Sequence, residues 1–354
     1  MVSLGSPRTG EDEIEAVSTL LSRGELSVGN VVEEFEESFR DFTSTRDAAA
    51  VSSGSVALEL ALEVSDLQEG DKVLVSPFNC AAVLYSLIRQ SLQPVFCDIR
   101  EDSYNIDPDF VKSELAQQDV DGILLTHLYG QPCEMDRLTE LARDNDLTVV
   151  NDFGQSPGAS YDGNNIATYG DVGVCSFGAT KNITTAEGGI VVSNNKEYTE
   201  RVRILRSNTN GDFETPLRSV RMNDIEAAIG VQQLKKYDNI VAEKRKIAEY
   251  YLNKLTTNVV LPETLPHRTN VYHAFPIRAQ DNIGLMEFLS KRDVETSVVY
   301  DKPLYDYNIA PSVDTYRFPN TERVTDEVII LPIHSNLTED EVNKVVSKVN
   351  SYFD

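Results

Sequence analysis

The feature that most constrains the fold is a regular alternation of short apolar runs with helix-like stretches between residue 10 and about residue 195. Helical patterns such as VALELALEV from Val56 and MDRLTELARD from Met135 separate the runs. The strand-like runs are AAAVSS at 48–53, KVLVSP at 72–77, PVFCDI at 94–99, GILLTH at 122–127, LTVVND at 147–152, VGVCSF at 172–177 and GGIVVS at 188–193. Strands that alternate with helices form a mainly parallel sheet covered on both faces, so we predict an α/β fold.

A long helical segment at 223–255 marks a change of pattern. The remainder contains the run YHAFPIRA, a helix-like stretch near 284–290, the run ETSVVY and a helical pattern from Glu339. No Pro/Gly-rich linker or internal repeat cuts the chain into independent modules. We therefore predict a large α/β domain with an N-terminal arm over 1–239 and a smaller C-terminal α+β domain over 240–354.

Charge and composition argue against several classes of partner. The formal net charge of −25 would repel nucleic acid and anionic membranes. No stretch approaches the roughly 20 apolar residues of a membrane helix, and the start lacks a basic segment followed by an apolar one, so we expect a cytoplasmic location. The acidic residues are spread along the chain, as on a solvated surface, and a high-salt cytoplasm is our hypothesis for the habitat.

Cysteine and histidine usage gives no sign of metal or disulfide chemistry. The four cysteines lie far apart and include no CxxC pair. None of the four histidines stands at helix-face spacing from another. The sequence therefore predicts neither a metal site nor a disulfide framework.

The turn Ser53-Gly54-Ser55 is the first candidate for ligand binding, because ligands of open α/β sheets gather at the carboxyl ends of strands. The turn ends a strand-like run and opens a helix, whose free N–H groups and positive dipole end suit a phosphate. An ordinary N-cap with a tight turn produces the same pattern. These residues alone leave both interpretations open.

Asp152 is the second candidate, at the end of the apolar run LTVVN and three residues before Gln155. A carboxylate beneath a pyridine nitrogen keeps that nitrogen protonated, which lets the ring accept electrons from a carbanion. A helix cap or a loop anchor is the alternative role for such an aspartate.

Lys181 is the third candidate, in the segment CSFGATK at 175–181 that precedes EGG at 187–189. The lysine stands in a turn of small and hydroxyl residues directly after a strand-like run, where a solvated lysine is not usually expected. In the functional interpretation, Ser176 holds a phosphate while Lys181 forms a Schiff base. In the alternative, Lys181 is a surface lysine beside a glycine turn.

Joined in this order, the three points resemble the DegT/StrS-type sugar aminotransferases, which are fold-type-I enzymes that use pyridoxal 5′-phosphate (PLP). The resemblance covers nearly the whole chain, and the order and spacing of its segments make a chance match improbable. The segments include VSSGSVALELAL, THLYGQP, VNDFGQSPGASYDG, SFGATKNITTAEGGIVV, RMNDIEAAIGVQQL, VVYDKPLY and LPIHSNLTEDEV.

The resemblance implies a role for each matching residue. Lys181 would be the catalytic Schiff-base lysine, and Asp152 would be the catalytic partner of the pyridine nitrogen. Gln155 would lie near the phenolic oxygen of PLP. The groups implied to hold the cofactor phosphate are Ser176 and the backbone N–H groups of Gly54 and Ser55.

The implied reaction moves an amino group from a donor to a keto-sugar attached to a nucleotide, for surface glycan or secondary-metabolite synthesis. The donor displaces Lys181, which then moves a proton between the donor and the cofactor. Glutamate is the expected donor. Arg221 matches an arginine that in relatives faces the partner subunit's site and binds the donor carboxylate, with a structural ion pair as the alternative. We therefore expect a homodimer with shared active sites.

Two positions depart from the family pattern. Cys80 stands where relatives place an aromatic ring over the cofactor, and Ser219 stands where relatives donate an asparagine from the neighbouring subunit to the phosphate. Both are kept as cofactor-binding positions. His127 and Tyr300 are further substrate-binding candidates, for which a structural hydrogen bond and a turn-flanking role are the respective alternatives.

Two other functions stay open at this point. A PLP-dependent sugar dehydratase uses the same fold, but relatives of that type carry histidine in place of the lysine, so Lys181 favours transamination. A non-catalytic regulator or scaffold that retained the fold is the other reading, to which the missing aromatic at Cys80 lends slight weight.

Overall fold

The computed structural model describes residues 1–24, 27–207 and 218–354. Its helices are α1 (Glu11–Arg23), α2 (Asn30–Thr43), α3 (Gly54–Val64), α4 (Ala81–Arg89), α5 (Pro108–Leu115), α6 (Met135–Asp144), α7 (Lys196–Leu205), α8 (Asp224–Lys254), α9 (Asn282–Ser290), α10 (Pro319–Glu327) and α11 (Glu339–Phe353). Its strands are β1 (Asp47–Val51), β2 (Lys72–Val75), β3 (Gln93–Phe96), β4 (Gly122–Thr126), β5 (Thr148–Asp152), β6 (Ser160–Tyr161), β7 (Asn164–Asn165), β8 (Val172–Ser176), β9 (Gly189–Ser193), β10 (Arg268–Thr269), β11 (Phe275–Arg278) and β12 (Val328–Leu331).

The seven apolar runs singled out in the sequence form one central sheet, in the order β1-β9-β8-β5-β4-β2-β3. Neighbouring strands from β8 to β3 are parallel, whereas β9 runs antiparallel to both β1 and β8. All five residues of β4 are buried, as expected for a strand covered on both faces. The predicted α/β fold with a mainly parallel sheet is confirmed.

A hydrophobic layer covers each face of this sheet, because successive side chains of a strand point to opposite faces. In β2, Leu74 joins the layer that contains Phe35 and Phe39 of α2. Its neighbours Val73 and Val75 join the opposite layer, which is formed largely by α3, α4 and α7. Burial of each such side chain contributes about 1.5–3 kcal/mol to the free energy of unfolding, so the two layers hold the central sheet in place.

The carboxyl ends of β1, β2, β4, β5 and β8 meet at one edge of the sheet. Thr126 of β4 pairs with Asp152 of β5, which in turn pairs with Val174 of β8. Since β9 is antiparallel to both β1 and β8, the end of β1 also lies at this edge. The sheet order therefore brings the three candidate points of the sequence together.

The C-terminal elements surround a two-stranded antiparallel sheet of β11 and β12 and share a hydrophobic core with α9, α11 and the later part of α8. Val2 joins this core and forms a bridge with Val294, whereas Leu304 and Phe318 pack against the central sheet. The run ETSVVY makes only an isolated bridge between Ser297 and Ile330. The division into domains over 1–239 and 240–354 stays a proposal.

Three observations bear on the predicted absences. In the described ranges, no helix combines the length and apolar character needed to cross a lipid bilayer. The same ranges contain no group of three or more His, Cys, Asp or Glu side chains placed to hold a metal ion. Cys80, Cys97, Cys133 and Cys175 are free thiols, of which Cys80 alone is exposed.

Candidate active site

A cavity of about 550 Å³ opens at the edge of the sheet where the carboxyl ends of the strands meet. It is bounded by the turn before α3, the start of α4, the ends of β5 and β8 and the segment 299–307. The residues singled out in the sequence that line it are Gly54, Ser55, Cys80, Asp152, Gln155, Ser176, Lys181 and Tyr300. The fold thus gathers most of the candidate site residues around one space.

The turn before α3 combines a helix cap with free backbone donors. Ser53 caps the helix, since its side-chain oxygen accepts the N–H of Val56 at 3.2 Å. Gly54 and Ser55 occupy the first turn, where N–H groups have no acceptor within the helix. The cap interpretation and the phosphate interpretation are therefore compatible, because the cap leaves these two N–H groups facing the cavity.

Gly54 permits the close approach of this turn to the end of β8. A Cβ atom at Gly54 would lie 2.5 Å from the Cβ and 2.6 Å from the Oγ of Ser176. On the other side, a Cβ atom at Gly189 would lie 2.3 Å from the carbonyl oxygen of Ser53. Both glycines are needed for the hydroxyl of Ser176 and the N–H groups of the turn to share one small concavity.

We predict that Gly54→Ala lowers the free energy of unfolding by about 1–3 kcal/mol, because the added methyl group overlaps Ser176. Urea unfolding measures this change. Gly10→Ala serves as the control, since Gly10 has an extended φ of −171° and no atom within 4 Å of an added Cβ. Equal stability of the Gly54 variant and the native protein would contradict the close packing at this turn.

Asp152 is held in place at the end of β5 with its carboxylate at the cavity. Its Oδ1 accepts the N–H of Gly154 at 2.9 Å. Burial raises the pKa of Asp152, and the Gly154 N–H and the positive charge of Lys181 partly offset this effect. A cation placed in the cavity beside Asp152 would further favour its charged form. The side chain is thus suited to partner a buried positive group.

The loop that carries Lys181 is anchored by buried neighbours. Thr185 donates its N–H to the carbonyl of Phe177 at 3.0 Å, and Asn182 donates from Nδ2 to the carbonyl of Val271 at 3.0 Å. Ile183 is fully buried in the core beneath the loop. Lys181 itself is half-buried and lines the cavity, and its side chain has no hydrogen bond or ion pair to any described residue, although its backbone N–H donates to the carbonyl of Gly178 at 2.9 Å. This position disfavours the surface-lysine alternative.

Gln155 connects the sheet edge to the C-terminal part of the chain. Its Nε2 donates to the hydroxyl of Tyr300 at 2.7 Å, while its Oε1 accepts the N–H of Tyr129 at 2.8 Å. Burial raises the pKa of Tyr300, so its hydroxyl stays protonated at neutral pH. The pair fixes the orientation of both side chains at the cavity.

His127 requires a correction, because the structure does not bring it into the cavity. Its ring is fully buried, with Nε2 2.6 Å from Oδ1 of Asn151 and Nδ1 accepting the N–H of Cys133 at 2.9 Å. Burial lowers the pKa of His127 to about 4, so the ring is neutral. Both nitrogens are engaged within the core, which supports the structural alternative.

The buried His127 predicts a pH effect on stability. The unfolded ring binds a proton near pH 6.5 and the native ring only near pH 4, so the free energy of unfolding falls as the pH drops through this window. The two pKa values correspond to a loss of about 3 kcal/mol. Urea unfolding between pH 7 and pH 4 should show that the free energy of unfolding falls less in His127→Gln than in the native protein. Parallel curves for the two proteins would be evidence against the neutral buried ring.

Ser219 and Arg221 lie outside the cavity of this chain. They line a separate surface pocket of about 530 Å³ together with Gly29 and Asn223. The backbone of this segment runs beside the end of β1, since Ser52 donates its N–H to the carbonyl of Val220 at 2.9 Å. Arg221 forms no ion pair with a described residue, so the structural alternative for it gains no support. Contact of these side chains with a partner's cavity stays a proposal.

The cavity also contains residues that were not singled out as site residues. Asn79 and Thr126 are joined by a hydrogen bond of 2.8 Å at the ends of β2 and β4, where the strand-end rule would have found them. His273 and Tyr307 come from distant parts of the sequence and carried no local signal, whereas Lys302 belongs with Tyr300 to the segment VVYDKPLY that is similar to the family.

No aromatic ring occupies position 80, and Phe78 does not take its place. Phe78 is fully buried and packs edge-on against Tyr300 at a centroid distance of 5.2 Å. The aromatic side chains that line the cavity are Tyr300 and Tyr307, both from the C-terminal part. The structure therefore places no aromatic ring at the position of Cys80, but two tyrosines from the C-terminal part of the chain line the same cavity.

Comparisons with known proteins agree with this arrangement. A model of the DegT/DnrJ/EryC1/StrS aminotransferase family matches residues 7–350. The uncharacterized protein MJ1066 of Methanocaldococcus jannaschii is 31% identical, covering 97% of this chain and 95% of that protein. The dTDP-3-amino-3,6-dideoxy-alpha-D-galactopyranose transaminase of Aneurinibacillus thermoaerophilus is 28% identical, with coverages of 96% and 94%. The crystal structure of the aminotransferase TlmJ from Streptoalloteichus hindustanus has a TM-score of 0.94 at 27% identity, with coverages of 100% and 99%.

The family match covers nearly the whole chain, and the solved structure has the same architecture over its full length. The fold-type-I architecture implied by the sequence resemblance is thereby confirmed. Aminotransferases of this family depend on PLP, which confirms the predicted cofactor. The chain is an aminotransferase and belongs to the DegT/DnrJ/EryC1/StrS aminotransferase family.

Proposed function

We propose that this protein is a sugar aminotransferase that transfers an amino group from glutamate to a keto-sugar attached to a nucleotide. The observation that carries the proposal is the convergence of Lys181, Asp152 and the Gly54–Ser176 concavity on one cavity. The transaminase of Aneurinibacillus thermoaerophilus, whose name specifies a dTDP-linked amino sugar, supports the choice of substrate. The product would feed surface glycan or secondary-metabolite synthesis, and we propose the cytoplasm as its location.

The residues around the cavity fit PLP on the geometry of this chain. The concavity between Gly54 and Ser176 presents a hydroxyl and free N–H groups, which are the donors that a phosphate requires. Asp152 offers a half-buried carboxylate that a pyridinium would help to keep charged. When bound, PLP withdraws electrons from the carbon that bears the transferred nitrogen.

We assign the remaining contacts from the same set of residues. Lys181 would hold the cofactor covalently, and Gln155 would lie near its ring oxygen. Cys80 would lie at the place over its ring, and Ser219 of the partner subunit would help to hold its phosphate. The last assignment and the binding of the donor carboxylate by Arg221 both depend on a homodimer, which we propose for this chain.

Lys181 is the group that we assign to proton transfer. Once the amine of the donor had displaced Nζ of Lys181, Nζ would be free to take a proton from the donor's α-carbon. In the second half of the reaction, the same Nζ would deliver a proton to the carbon of the keto-sugar that receives the amino group. Asp152 would keep a proton on the pyridine nitrogen throughout, and Tyr300 lines the cavity where we expect the sugar to enter.

Donor specificity gives the first test. We predict that glutamate converts the holoenzyme to its pyridoxamine form, seen as a loss of the cofactor's visible absorbance, and that glutamine and aspartate do so more slowly. A nucleotide-linked keto-sugar should restore the absorbance. Absence of any spectral change with all three amino acids would exclude transamination as proposed. Conversion by glutamate without recovery in the presence of keto-sugar nucleotides would exclude the proposed acceptor alone.

A further inference from the structure

A second, smaller cavity of about 170 Å³ adjoins Lys181. It lies between the first residues of the chain, α8 and the segment that follows β12. Thr180, Lys181 and His273 line both this cavity and the larger one. A ligand in the smaller cavity would therefore lie within reach of the proposed reacting lysine.

The lining of this second cavity has an unusual charge. It includes Arg8, Lys181, Lys244, His273 and His334, and no aspartate or glutamate belongs to the described lining. The whole chain contains 57 acidic residues among 354, so about three would be expected in a random set of this size. Arg8, Lys181 and Lys244 without a carboxylate beside them would attract a small anion, and the two histidines, whose pKa values burial lowers, would offer it hydrogen bonds rather than charge.

Two histidines of this cavity each have a buried ring nitrogen with no hydrogen-bond partner among the described residues. His334 is 7% exposed, and its Nδ1 has no hydrogen-bond partner among the described residues. Its other nitrogen lies 3.3 Å from the hydroxyl of Ser3. Nδ1 of His273 is likewise buried and without a partner. Unpaired buried donors are costly, so a ligand that accepts hydrogen bonds would stabilise them.

Lys244 provides the buried charge of the site. It is 5% exposed, and its Nζ donates to Oδ1 of Asn182 at 2.6 Å and to the carbonyl of His273 at 3.2 Å. Neither acceptor carries a charge, so no carboxylate of the described chain compensates the ammonium. Burial lowers the pKa of Lys244 to about 7, and a bound anion would oppose this effect.

We propose that the second cavity binds one of the two carboxylates of the amino donor, held by Lys244, His334 and Arg8 beside Lys181, and that the other is the one assigned above to Arg221. This inference rests on the proposed function and names the donor subsite within it. The volume of about 170 Å³ lies below the roughly 300–1,000 Å³ of pockets that hold larger ligands, so it suits a small dicarboxylic acid better than a nucleoside diphosphate. The nucleotide of the acceptor is thereby assigned to the larger, open cavity.

Calorimetric titration of the full-length holoenzyme tests the subsite without any reaction. Glutarate is the probe for the donor, because it carries two carboxylates and no amino group, and UDP is the probe for the nucleotide. We expect Lys244→Met to bind glutarate about 10- to 100-fold more weakly, as for a lost hydrogen bond to a charged group, and to bind UDP normally. Since Lys244 is buried, the exposed Arg8→Met is a second variant with the same expected direction.

Lys246→Met is the matched control, since Lys246 lies on the same helix, is exposed and pairs with Glu243. Unchanged glutarate affinity in both Lys244→Met and Arg8→Met would overturn the proposal. Weakened UDP binding with normal glutarate binding would also overturn it, because the anion would then be the acceptor's phosphate. If glutamate fails to convert the cofactor while glutarate affinity still depends on Lys244, the subsite stands and the proposed reaction fails.

Discussion

Lys181→Ala should lose transaminase activity by a factor on the order of 10⁴ or more, because one side chain supplies both the covalent attachment and the proton transfer. The variant should fold normally, since the side chain of Lys181 makes no hydrogen bond or ion pair to a described residue. Stopped-flow absorbance of the glutamate half-reaction measures the loss directly. The bound cofactor should also lose the visible band of the attached form and remain removable by dialysis.

Lys246→Ala is the control for removing a lysine, because the side chain of Lys246 is 70% exposed and pairs with the carboxylate of Glu243 on the surface. It should retain the native rate. A Lys181→Ala variant that converts glutamate at more than about a hundredth of the native rate would mean that another base moves the proton. In that case the assignment of proton transfer to Nζ of Lys181 would be wrong.

Asp152→Asn should reduce the rate roughly 10²- to 10⁴-fold while leaving the cofactor attached. Removing one member of a buried charge pair costs about 3–5 kcal/mol, and here that energy keeps the pyridine nitrogen protonated. Asparagine retains the shape and can still accept the N–H of Gly154, so the fold should be little affected. Single-turnover rates with glutamate and the absorbance maximum of the bound cofactor provide the measurements.

Asp162→Asn is the matched control, because Asp162 is an exposed carboxylate whose partner is His267 on the surface. Its rate should equal that of the native enzyme. Near-native turnover in Asp152→Asn would show that the carboxylate is only a loop anchor, the alternative that the sequence left open. Loss of the folded state in the variant would point to the same structural role.

Residues at the ends of strands were the part of the site that sequence reasoning could find. Each apolar run predicted a strand, and the parallel order of strands placed the groups after them at one edge. That rule identifies the strand end but not the direction of a side chain. Thr126 and Asp152 face the cavity, whereas the adjacent His127 and Asn151 face the opposite way and bond to each other. The prediction that His127 binds substrate is therefore wrong because successive side chains of a strand point to opposite faces, and the residue that faces the cavity is its neighbour Thr126.

The residues of the second cavity were not predicted from the sequence, for a different reason. In α8, the buried positions Tyr237, Ile240, Val241, Lys244 and Ile247 follow the helical period. Lys244 thus lies on the apolar face of α8. Its position in the helical period indicates burial, but a lysine is ordinarily expected to be exposed. Its hydrogen-bond partners Asn182 and His273 lie far before and after it in the chain, and no local pattern in the sequence relates them.

The contact between Gly54 and Ser176 also constrains how such a sequence can change over time. Any side chain at position 54 meets position 176, and any side chain at position 189 meets the backbone at position 53. A side chain at position 54 can be accommodated better when position 176 becomes smaller, whereas the backbone at position 53 leaves no side chain whose replacement would make room at position 189. Positions 54 and 176 are therefore expected to change in a correlated way, since residues in contact do not act independently, and position 189 is expected to stay glycine.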